Sequence, residues 1–142
     1  MQFFTETQQK NIISAIKDAE KKTSGEIKVH IESNCKLENA YLRAKEVFEF
    51  LSLHKTELRN GVLFYLAFND RKFAVLGDEG INNKVGQEFW DSTKNLLSEN
   101  FKNGEFEKGF SLAIAEAGFQ LEKYFPYQRN DSNEIPDDLS FG

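Results

Sequence analysis

Apolar residues along the chain repeat with two different periods, and each change of period marks an element boundary. In "FFTETQQKNIISAIKDAEKKTSGE", Ile12, Ile16 and Ala19 recur at helical spacing, and Ile13 and Ala15 widen the stripe. Thr5 and Gln8 match a capping box at its start; Lys21, Lys22 and then Ser24-Gly25 suit its end. "EIKVHIES" alternates strictly, with Ile27, Val29 and Ile31 on one side and Glu26, Lys28, His30 and Glu32 on the other. That pattern predicts a strand with one fully covered face, near a sheet edge. "LENAYLRAKEVFEFLSLHKTEL" returns to helical spacing, with Ala40, Ala44, Val47, Phe48 and Leu51 on one face. "NGVLFYLAF" is almost continuously apolar and predicts a central strand. A tight "NDR" turn leads into "KFAVLG", which should run antiparallel to it. Two further helices follow. "VGQEFWDSTKNLLSENFKNG" turns Phe89, Thr93, Leu96 and Leu97 inward; "EFEKGFSLAIAEAGFQLEKYF" does the same with Phe106, Phe110, Ala113, Ala117 and Leu121. Gly109 and Gly118 cost helix propensity in the last helix and suit close packing, and Pro126 ends it.

The element order is therefore αβαββαα. A helix joins the first two strands, which makes them parallel with a right-handed crossover. The expected class is α/β, a small mixed sheet with helices on both faces. Residues 1–126 form the domain, and the aperiodic, acidic residues 127–142 read as a flexible tail.

Composition narrows the function more than the fold. A chain of 142 residues suffices for one domain with its own core, and 14 phenylalanines point to a core rich in that residue. A single cysteine, Cys35, excludes an internal disulfide framework and leans toward a reducing compartment. The net charge of −5 argues against a nucleic-acid partner. Neither a signal peptide nor an apolar run of membrane-spanning length is visible, so a cytoplasmic location is expected. An unidentified protein partner is compatible with this composition.

The candidate chemistry lies in "VLGDEGI", where two adjacent carboxylates, Asp78 and Glu79, stand between glycines at the end of an apolar strand. The strand directions bring "TSGEI", "RNGV" and "GDEG" to one rim of the sheet. Glu26, Asp78 and Glu79 would then meet Ser24, Arg59 and Asn60 there. Hard oxygen donors of this kind suit Ca²⁺ or Mg²⁺, not zinc. An ordinary alternative stands beside it, with Asp78 capping a helix and Glu26 pairing with Arg59. The opposite rim carries Glu32, Ser33, Asn34 and Cys35 with Asn69-Asp70-Arg71, a weaker candidate because "NDR" is common hairpin chemistry.

Taken together, "AIKDAEKKTSGEIKVHI", "RNGVLFYLAFNDRKFAVLGDEGI", "VGQEFW" and "FKNGEFEKGFSLAI" resemble the TPM domain family, in order and spacing over roughly residues 9–125. The resemblance implies a three-layer α/β/α sandwich and a divalent cation, usually calcium, at the acidic loop. It places candidate ligands at Asp78 and Glu79, with Glu26 as a third. It leaves two functional expectations. One is a calcium-binding accessory or interaction domain without catalysis. The other is a metal-dependent acid phosphatase, in which a metal-activated water would attack a phosphomonoester and Arg59 would stabilise developing charge.

Overall fold

The computed structural model of the protein describes residues 3–127 and 139–142. In chain order the elements are α1 (Glu6–Glu20), β1 (Glu26–Glu32), α2 (Ala40–Phe50), β2 (Gly61–Ala67), β3 (Lys72–Gly77), a single-turn α3 (Glu79–Asn82), α4 (Asp91–Lys102), α5 (Phe106–Glu122) and β4 (Ser140–Phe141). Short 3₁₀ turns occupy Leu53–Lys55 and Gln87–Trp90. The fold is α/β with a mixed sheet, and the expected αβαββαα order is recovered with α3 and β4 added. The chain divides into two compact units, Met1–Ser24 with Gln87–Asp131, and Gly25–Gly86 with Ser132–Gly142.

The first unit is helical. Thr5 and Gln8 form the capping box at the start of α1, and Ile12, Ile16 and Ala19 are its buried stripe. α5 packs against both α1 and α4. A Cβ on Gly118 would lie 2.8 Å from that of Ala19, so only glycine lets α5 approach α1 this closely. Phe3, Phe4, Phe101, Phe106 and Phe110 interlock edge to face or tilted, with centroids 4.9–6.1 Å apart. The helix expected from Val85 starts later, at Asp91, because Gln87–Trp90 is wound as a 3₁₀ turn.

The second unit carries the sheet, in order β3-β2-β1-β4. β1 and β2 are parallel, with Glu26 opposite Gly61 and Glu32 opposite Ala67; β2 and β3 form the antiparallel hairpin. α2 packs on β2 and β3, and Ala44, Val47, Phe48, Leu53, Leu63, Tyr65 and Leu76 form one apolar cluster. β1 departs from its alternating pattern. It is an interior strand, and all seven of its residues are buried, including Glu26, Lys28, His30 and Glu32. At its C-terminal end the cover is β4: Ser140 and Phe141 pair in parallel with His30 and Ile31, on the edge that the sequence left open. Residues 139–142 of the expected tail thus belong to the sheet, while 128–138 lie outside the described residues.

Candidate functional site

The acidic loop sits where β3 ends. Asp78 donates its N–H to the Gly61 carbonyl (3.0 Å), which extends the β2–β3 pairing by one residue and fixes the carboxylate at the rim. Its Oδ1 accepts from the Glu79 N–H at 2.8 Å, capping α3. Gly80 explains the second glycine of "GDEG". A Cβ there would lie 2.2 Å from the Leu58 carbonyl oxygen and 2.5 Å from that of Arg59, and the Gly80 N–H donates to the Arg59 carbonyl at 2.9 Å. The first turn of α3 is therefore pressed against the backbone just before β2.

Arg59 ties this corner together. Its backbone is left-handed, at φ 52°, a conformation costing a non-glycine residue on the order of 1 kcal/mol. From there Nε donates to Asp78 Oδ2 (2.8 Å), Nη2 to Asp78 Oδ1 (3.1 Å) and Nη1 to Glu79 Oε1 (3.0 Å). One guanidinium thus faces both carboxylates, bidentate on the first. Asp78, and Glu79 more weakly, raise the Arg59 pKa.

The other expected members are placed differently. Asn60 is adjacent: its carbonyl accepts from the Glu26 N–H (3.4 Å), and its own N–H donates to Thr56 Oγ1 (3.2 Å). Glu26 is buried at the start of β1, two strands from β3. Ser24 belongs to the helical unit, where its N–H donates to the Phe125 carbonyl. Among the described residues no group of three or more His, Cys, Asp or Glu side chains is placed to hold a metal ion. The donor set is right for a hard cation, but both Asp78 oxygens already accept from protein donors. The residues do not fit a closed Ca²⁺ cage of six to eight oxygens. They leave two carboxylates, the buried Asp78 and the exposed Glu79, both held by Arg59.

At the opposite rim lies a buried network that the alternation of β1 concealed. Glu32 Oε1 accepts from Arg43 Nη2 (2.9 Å) and Oε2 from Arg43 Nε (2.9 Å). The Tyr65 hydroxyl also donates to Oε2, and His30 Nε2 lies 3.2 Å from Oε1. A carboxylate only accepts, so Nε2 carries the proton of neutral His30 and Nδ1 accepts from the Ser140 hydroxyl at 2.9 Å. Burial pushes the Glu32 pKa up, but hydrogen bonds from Arg43, Tyr65 and His30 outweigh it and bring it down to about 2. Burial, then Glu32, raises Tyr65. Burial lowers His30 despite Glu32. One signal for this cluster was available: parallel register sets Tyr65 opposite His30, two residues before Glu32. Nothing in the sequence pointed to Ser140.

No helix among the described residues is long and apolar enough to cross a membrane. Comparison with curated proteins gives no match. The fold is similar to the solution structure of the BA42 protein from the psychrophilic bacterium Bizionia argentinensis. The TM-score is 0.93 at 44% identity, over 99% of this chain and 97% of that one. It is also similar in fold to the N-terminal domain of the cg2496 protein from Corynebacterium glutamicum, with TM-score 0.67 at 12% identity over 96% and 80% of the two chains. A family model for the TPM domain matches residues 1–119, and the chain belongs to that family.

Proposed function

We propose that this TPM domain is a divalent-cation-responsive accessory or interaction module, with Asp78 and Glu79 as the cation's seat. The observation that supports this is the convergence of two adjacent carboxylates on one exposed guanidinium. Arg59 then acts as the resident counter-cation. A hard divalent ion takes the carboxylates, Arg59 swings into solvent, and water completes the coordination. Two protein carboxylates make a weak site, with affinity in the millimolar range of sparse oxygen sites. Calcium is the expected ion, because its coordination tolerates irregular geometry better than that of magnesium.

Residue-resolved NMR titration with CaCl₂ tests the reading. Shifts should centre on Asp78, Glu79, Gly80 and Arg59. Arg59→Gln removes the competitor and should tighten binding several-fold, whereas Asp78→Asn with Glu79→Gln should abolish it. Unchanged affinity in Arg59→Gln, or shifts centred elsewhere, would refute the site.

A further inference from the structure

Residues 139–142 lie along the free side of β1 and cover the His30 ring. Ser140 and Phe141 pair with His30 and Ile31, the Gly142 N–H donates to the Ile31 carbonyl at 2.9 Å, and Leu139 is buried. A Cβ on Gly142 would fall 2.8 Å from His30 Nε2 and 2.4 Å from Glu32 Oε1, so this backbone rests directly on the ring and the carboxylate. His30 is 3% exposed, and Ser140 and Gly142 are part of its cover. Lifting these four residues would take the Ser140 hydroxyl from Nδ1 and the Gly142 backbone from beside Nε2, opening both ring nitrogens on that side.

We propose that Leu139–Gly142 form a proton-sensitive clasp on the β1 edge, closed over neutral His30 and released when its imidazole is protonated. The warrant is linkage: a proton favours whichever state hydrates the imidazolium, and that is the open one. The groups facing His30 do not reverse this preference. Glu32, on the same strand, attracts the added charge but is already matched by two hydrogen bonds from Arg43 of α2 and one from Tyr65 of β2. Arg43, and Lys36 from the loop after β1, oppose it. Tyr65, stacked on the ring at 6.0 Å, is a neutral phenol, and Ser140 of β4 carries no charge. Burial lowers the His30 pKa in the closed state and Glu32 stays ionised down to about 2, so on acidification it is release of the cover that lets His30 take up a proton. Each unit by which the open-state pKa exceeds the closed one shifts the opening equilibrium up to about tenfold on acidification. Opening frees the Ile31 carbonyl and bares a strand edge.

Amide hydrogen exchange on the full chain tests this, corrected for intrinsic rates, at about pH 7.5 and about pH 5. Protection of the Gly142 amide should fall at least about fivefold more than that of Phe64 and Leu66 in β2, which report global opening. In His30→Asn the Gly142 protection should no longer depend on pH. Should that variant not fold, the wild-type protein decides alone: NMR titration of the His30 ring must share its midpoint with the shifts of Leu139 and Phe141. Gly142 protection that tracks β2 at both pH values, an unchanged pH response in folded His30→Asn, or midpoints that differ, would overturn the proposal.

Discussion

Replacing Arg43 by methionine keeps most of its apolar stem and removes the charge that faces Glu32. The Glu32 side chain is 2% exposed and that of Arg43 14%, so their two hydrogen bonds at 2.9 Å are shielded from solvent screening. Removing one partner of such a pair leaves a buried charge uncompensated, which costs about 3–5 kcal/mol, against less than about 1 kcal/mol for an exposed pair. The pKa gives an independent scale. Depression of the Glu32 carboxyl from 4.5 to about 2 corresponds to roughly 3 kcal/mol of stability at neutral pH. The sign follows from proton binding. The unfolded state takes up the Glu32 proton first, so this stability is complete above pH 4.5 and is lost as the pH falls toward 2. His30 adds a smaller contribution of the same sign, lost as the pH falls below its ordinary 6.5.

Arg43→Met should therefore destabilise the sheet unit by about 3 kcal/mol at pH 7, and the deficit should shrink on acidification, because Glu32 without its counter-charge takes up a proton more readily while the wild type loses the advantage of its depressed carboxyl. Adding Glu32→Gln should recover most of that loss, because glutamine needs no counter-charge and still accepts from Tyr65. Urea unfolding followed by circular dichroism, with exchange of β1 and β2 amides, is the appropriate assay. The single tryptophan, Trp90, belongs to the helical unit and would report on that unit instead. A loss under about 1 kcal/mol, or a double variant as unstable as the sum of the two singles, would refute the buried-pair argument.

Two backbone approaches yield further predictions. Gly80→Ala forces a methyl to within 2.2 Å of the Leu58 carbonyl oxygen, so it should destabilise by several kcal/mol or displace α3. A thermal melt within a degree of wild type would contradict that packing. Gly118→Ala brings two methyl groups to 2.8 Å and should cost about 1–3 kcal/mol, partly offset by better helix propensity, as read from Trp90 fluorescence during urea unfolding. A gain in stability would show that α1 and α5 separate without strain.

What could be read in the sequence follows the physics of each signal. Helix periodicity and capping are local, so α1 was legible down to Thr5 and Gln8, and α5 down to Phe110, Ala113, Ala117 and Leu121. The continuous apolar run of β2 told correctly of a strand buried between neighbours. Alternation in β1 misled because it records which side chains are polar, not which are exposed. Lys28, His30 and Glu32 are buried, and for His30 and Glu32 the partners come from residues 43, 65 and 140, far off in sequence. β4 was invisible because two residues carry no period. At the acidic loop, the corner formed by Asp78, Glu79 and Arg59 was legible because hairpin direction and adjacency suffice to assemble it. Ser24 was legible as a residue near the start of β1 but not as a member of the helical unit.

The two rims of the sheet unit use the same chemistry to opposite ends. Each sets an arginine bidentate on a carboxylate, and β1 separates them by about 20 Å, the rise of seven strand residues. Solvent decides what each can do. At the Glu32 rim the arginine cannot leave without stranding a buried charge, so that pair is fixed and its neighbour His30 is what can change state. At the Asp78 rim Asp78 itself is 7% exposed, but Arg59 is 40% and Glu79 62% exposed, so water can take over the hydration of the guanidinium and of Glu79 when they part. Exchanging the guanidinium for another cation there keeps the buried Asp78 carboxylate paired while the released guanidinium goes to water. On the proposed reading, a metal ion is taken at the more exposed rim and a proton at the buried one. Ca²⁺ should accordingly leave the pH dependence of Gly142 protection unaltered, and coupling between the two would show that β1 transmits strain from one rim to the other.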